Sequence, residues 1–130
     1  MSDVQPGDLL QIDTESGPKV VQITHVTNPY PPVLRALKGD TAEADTAFIA
    51  MADLQADDPR VTPLANAAIP PEARAFPTFR LAVRDRTGQP VYWWYWNGEG
   101  LRLAPDPADM SLPLRQITRF ETLITALSRI

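Results

Sequence analysis

The chain has 130 residues, a net charge of −4 and no cysteine, which excludes disulfides, thiolate metal sites and a cysteine nucleophile. That length suits one domain with a core large enough to need no covalent staples. The acidic balance argues against a dedicated nucleic-acid binder, whose affinity comes largely from neutralising phosphates.

The charge is unevenly placed. Residues 1–65 carry ten acids against four bases, whereas residues 66–130 carry six acids against eight bases. Arginine dominates, with ten copies against only Lys19 and Lys38. No apolar run follows a basic start, and no stretch approaches the eighteen apolar residues of a membrane span. The expectation is a soluble cytoplasmic protein with no membrane partner.

In chain order, Leu9, Leu10 and Ile12 read as a short strand after Gly7-Asp8, and Glu15-Ser16-Gly17-Pro18 as a turn. Lys19 to Val26 alternates and is rich in β-branched residues. It predicts a strand with Val21, Ile23 and His25 on one face and Val20, Gln22, Thr24 and Val26 on the other. Asn28-Pro29-Tyr30-Pro31-Pro32 is an extended connection, and Val33 to Lys38 a third strand. Over 41–56, Ala44, Ala47, Phe48, Met51 and Leu54 recur at helical spacing, and Asp40 with Glu43 resembles a capping box. The helix is the preferred reading, although Thr46 to Met51 also suits a strand. Residues 59–77 hold Pro59, Pro63, Pro70, Pro71 and Pro77 and predict a strap, not an element. Strands Phe79–Arg86, Val91–Trp96 and Leu101–Leu103 follow. A final helix is expected from an N-cap at Ser111 with Pro113 in its first turn. Its stripe is Leu114, Ile117, Phe120, Ile124 and Leu127.

The fold class implied is α+β: a small antiparallel sheet or SH3-like partial barrel, then a three-stranded β-meander and a C-terminal amphipathic helix. Residues 1–130 form a single compact domain, with sub-units 1–58 and 77–130 joined by the strap 59–77.

The most informative stretch is Tyr92-Trp93-Trp94-Tyr95-Trp96, five consecutive aromatics that include every tryptophan of the chain. A strand sends neighbouring side chains to opposite faces, so this one carries large rings on both. Asp85-Arg86-Thr87-Gly88 and Asn97-Gly98-Glu99-Gly100 share a grammar of Asp or Asn first and Gly fourth, a type I turn with a glycine bulge. The resulting register sets Val83 opposite Val91, Leu81 opposite Trp93 and Phe79 opposite Tyr95. The other face then carries Arg80, Arg84, Tyr92, Trp94, Trp96 and Arg102. Arg80 would lie across from Trp94 and Arg102 across from Trp96, cation–π pairs worth roughly 0.5–2 kcal/mol each. A two-residue Thr87-Gly88 turn would exchange the faces and put Trp93 and Tyr95 with the arginines. The competing structural account covers this face with the C-terminal helix or the first sheet, leaving the arginine stems at its rim.

Those six residues are the candidate binding site. The function expected is a non-enzymatic protein–protein binding or assembly module whose partner is another protein chain, a homodimer included. The alternative is a single-stranded nucleic-acid or carbohydrate binder stacking on the same rings. No catalytic residue, metal ligand or cofactor is assigned. His25 is the only histidine and lacks a nucleophile signature, and the acids of 40–58 lack calcium-loop spacing.

Overall fold

The computed structural model describes residues 4–26, 30–75, 77, 79–96, 101–104 and 117–130; for 81–83, 90–94, 101–104 and 117 it describes the backbone alone. The chain is α+β and divides into two compact units, Met1–Ala75 with Ile117–Ile130, and Phe76–Gln116. The final helix therefore belongs with the first sheet, whereas the expected division grouped it with the meander.

The first unit contains β1 (Asp8–Thr14), β2 (Gly17–His25), β3 (Val33–Leu37), β4 (Thr46–Ala52), β5 (Val61–Asn66), the short helix α1 (Pro71–Arg74), β9 (Ile117–Thr118) and α2 (Phe120–Leu127). Its strands run in the order β5-β1-β2-β3-β4-β9, antiparallel except for β9, which lies parallel to β4. All five residues of β3 are buried. One face of the sheet contributes Leu10, Ile12, Val21, Ile23, Leu34 and Ala36 to a core that α2 completes with Phe120, Leu123, Ile124 and Leu127. The other face holds a smaller cluster of Leu9, Val20, Leu37 and Ala42.

Beside that smaller cluster lies a buried polar network. Arg35, 1% exposed, donates from Nε to Gln22 Oε1 at 2.8 Å, from Nη1 to Thr46 Oγ1 at 3.1 Å and from Nη2 to Ala42 O at 2.5 Å. Gln22 Nε2 in turn donates to Ala67 O at 3.1 Å. The network fastens the segments around 42–46 and 67 onto the sheet, where apolar cover is sparse. Gly7 serves the same region. Its φ is 95°, its carbonyl accepts from Ala67 N at 3.0 Å, and a Cβ would lie 2.8 Å from Ala67 O.

Three expectations are corrected. Residues 46–52 form a strand, not a helix, because β3 offers an unpaired ladder and Phe48, Ala50 and Ala52 fit a period of two against the core. The strap 59–77 contains β5, which pairs with β1; Pro63 is tolerated there because β5 is the edge of the sheet. The last helix starts at Phe120, with Arg119 at its N-cap, and Ile117 is a strand residue. Ser111, Pro113 and Leu114, like Asn28 and the Asn97–Gly100 turn, lie outside the described residues.

The second unit contains β6 (Phe79–Arg84), β7 (Pro90–Trp96) and β8 (Leu101–Ala104), paired as an antiparallel meander in the order β6-β7-β8.

Candidate functional site

The first turn of the meander forms as its sequence dictates. Gly88 takes φ 86°, its N–H donates to Asp85 O at 3.1 Å, and Asp85 N donates to Gln89 O at 3.0 Å. The Asp85 carboxylate caps the turn, accepting from Thr87 Oγ1 at 2.7 Å, Gln89 N at 3.0 Å and Thr87 N at 2.8 Å. Those bonds hold its pKa below the ordinary aspartate value.

The register beyond the turn differs from the expected one. Arg84 pairs with Pro90, but Val83 pairs with Tyr92, so Val91 is an extra residue on β7. Proline cannot donate to a ladder and is tolerated at strand starts and bulges; Pro90 occupies such a start with the bulge beside it. The bulge exchanges the pleat phases of the aromatic strand. Four rows now cross the meander: Phe79–Trp96–Leu101, Arg80–Tyr95–Arg102, Leu81–Trp94–Leu103 and Ala82–Trp93–Ala104.

The six sequence-predicted residues therefore do not share one face. Tyr92, Trp94 and Trp96 are in phase with Phe79, Leu81 and Val83, while Arg80 and Arg102 flank Tyr95. Trp96 is buried, with its ring centroid 5.9 Å from that of Phe79, itself fully buried. Tyr95 is buried too, so both phases of β7 are covered at this end. Arg80 is half-buried, and Arg84 is exposed, its Nη1 donating to Gly88 O at 2.8 Å. For Tyr92, Trp94 and Arg102 only the backbone placement is described.

His25 is half-buried at the end of β2. Its Nε2 donates to Arg74 O at 3.0 Å, and its Nδ1 lies 2.9 Å from Thr24 Oγ1. A ring that holds the Arg74 main-chain carbonyl fastens α1 to the sheet. Among the described residues no cluster of three or more histidines and carboxylates is placed to hold a metal ion.

Sequence reasoning missed the ion-paired cluster at the start of β5. Arg60 Nη2 lies 2.9 Å from Asp58 Oδ2 and 2.7 Å from Glu121 Oε1, and the guanidinium stands 5.2 Å above the Phe120 ring. Asp58 and Arg60, two apart, were the only local signal; Glu121 is 61 residues away. The cluster borders a groove of about 430 Å3 with Asp13, Glu15 and Ile124. Hydrogen bonds from Arg60 hold Asp58 down at about 2 and also lower the pKa of Glu121. A carboxylate whose folded pKa is depressed adds stability above its unfolded value and loses it as pH falls towards the folded one. The melting temperature of the wild type is thus expected to fall more steeply than that of Arg60→Met between about pH 5 and pH 2. Circular dichroism melts across that range check it. About 1 M salt should shrink the difference, because the groups are exposed.

No family model matches the chain, and no curated protein or solved structure matches it significantly. Among the described residues no helix is long and apolar enough to cross a membrane.

Proposed function

We propose that the chain is a non-enzymatic binding or assembly module whose meander engages another protein chain. The observation that supports this reading most is the backbone row Ala82–Trp93–Ala104, in phase with the exposed Arg84 and two residues along β7 from the buried Tyr95. A tryptophan between two alanines has small cross-strand neighbours, so a partner's side chains can surround it. Tryptophan and arginine are also the residue types that dominate interface energies. Relative to the sequence reading, the anchor moves from Trp94 to Trp93, and the arginines stay.

Two alanine substitutions separate the roles of the adjacent tryptophans. Trp93→Ala is expected to weaken association by about 2 kcal/mol, roughly thirtyfold, with the melting temperature little changed. Trp94→Ala, in phase with buried Phe79 and Trp96, is expected to lower the melting temperature. Sedimentation equilibrium reads self-association, and thermal melts read stability. A folded Trp93→Ala chain that associates as tightly as the wild type would rule out the anchor. Oligonucleotide binding with a steep salt dependence would instead support base stacking on the meander.

A further inference from the structure

We infer that Pro63 guards the six-stranded sheet by closing its β5 edge to an added strand, independently of the meander. The occupant it excludes is the β5 strand of a second copy. Among the described residues β5 ends the sheet and pairs with β1 alone, and five of its six residues are exposed. It carries no charged residue, and Leu64 is 46% exposed. An exposed, uncharged edge of this kind is a ready template for strand pairing, which proteins block with charges, prolines or bulges. Two copies meeting about a two-fold axis would place the same uncharged strand on both sides, with no repulsion to part them.

The hydrogen bonds identify the device. In an antiparallel ladder the N–H and C=O of one residue point to the same side, and successive residues alternate. Arg60 O accepts from Asp13 N at 2.9 Å, so the Arg60 carbonyl faces β1. Thr62 then faces β1 as well, while Val61 and Pro63 turn their main-chain groups outward. The Val61 N–H is already spent on Asp58 O at 2.9 Å, and Pro63 has none. Beyond them the register slips between Leu9 and Leu10, leaving Leu64 as an extra residue that bends the edge. A docking strand would meet outward carbonyls at 61 and 63 but no donors, and its own carbonyls there would go unpaired. The proline costs the fold little, because the N–H it lacks is one that β1 does not use.

Pro63→Thr restores the outward N–H without adding apolar surface. The test is made in a Trp93→Ala background, which removes the anchor proposed for the meander and so keeps the two surfaces apart. Sedimentation equilibrium is expected to show that Pro63→Thr tightens self-association about tenfold or more over Trp93→Ala alone. By NMR, the new amide at position 63 should exchange freely with D2O in dilute solution and become protected as the chains pair. Adding Ala65→Lys sets like charges along the opened edge and is expected to return association to the Trp93→Ala level, with Leu64 left in place. Pro63→Ala carries the same N–H and repeats the measurement with a smaller side chain. Association unchanged in both folded variants, or association in which the new amide stays unprotected, would overturn the guard.

Discussion

Arg35→Ala is expected to lower the unfolding free energy by about 3–5 kcal/mol. The guanidinium is 1% exposed and sits on the face of the sheet that α2 does not cover. Its partners are neutral: Gln22 Oε1, Thr46 Oγ1 and the carbonyls of Ala42 and Ala44. Burial pushes its pKa down, and the charge of Glu72 opposes that. Truncation would leave several buried acceptors without donors, each costing about 1–3 kcal/mol, beyond the lost packing. Arg35→Lys should recover only part of the loss, since an ammonium cannot reproduce a planar fork that reaches a side-chain amide and two carbonyls together. Pairing Arg35→Met with Gln22→Leu should cost less than the sum of the single changes, because donor and acceptor leave together. Urea unfolding followed by circular dichroism measures all five variants. A loss below about 1 kcal/mol for Arg35→Ala would mean that the segments around 42–46 hold without this network.

Leu123→Ala should cost about 3 kcal/mol. Leu123 is fully buried on α2 and meets a core built from Leu10, Ile12, Val21, Ile23 and Leu34. The helix has only eight residues and no side-chain cap at its N-terminus, so its stability comes from docking, not from propensity. An alanine there removes the central contact of that docking and leaves a cavity that the surrounding strands fill poorly. Thr125, exposed on the same helix, is the control, and Thr125→Ala should change stability by less than about 0.5 kcal/mol. Similar urea midpoints for the two variants would contradict the assignment of α2 as the lid of the six-stranded sheet.

The parts of the fold governed by local rules were legible. β1, β2 and β3 follow alternation and β-branching, and the Asp85–Gly88 turn follows from an aspartate and a glycine at the right offsets. The apolar positions Phe120, Ile124 and Leu127 were also correctly assigned to a helix. The remainder depended on tertiary pairing. Ala47, Phe48 and Met51 satisfy helical spacing, and only the free edge of β3 makes them a strand. Val61–Asn66 holds a proline that argues against a strand until its place at the sheet edge is known. The register of the meander differs from the expected one through one residue. The bulge at Val91 is invisible to a rule that counts outward from the turn, yet it exchanges the partners of every aromatic that follows. Arg35 was visible as a charge inside an apolar strand, but its acceptors come from segments that sequence alone does not bring together.

Iodide quenching of tryptophan fluorescence, with light scattering on the same samples, tests the proposed binding surface most directly. All three tryptophans lie on β7, so the emission reports on the meander alone. Trp96 is buried and supplies a protected fraction. The account predicts a second, quenchable fraction in dilute monomer that is lost in Trp93→Ala and becomes protected when the chain associates. Blue-shifted emission that iodide does not reach, from a protein that scatters as a monomer, would mean that the chain covers its own aromatic strand and would contradict the proposed surface.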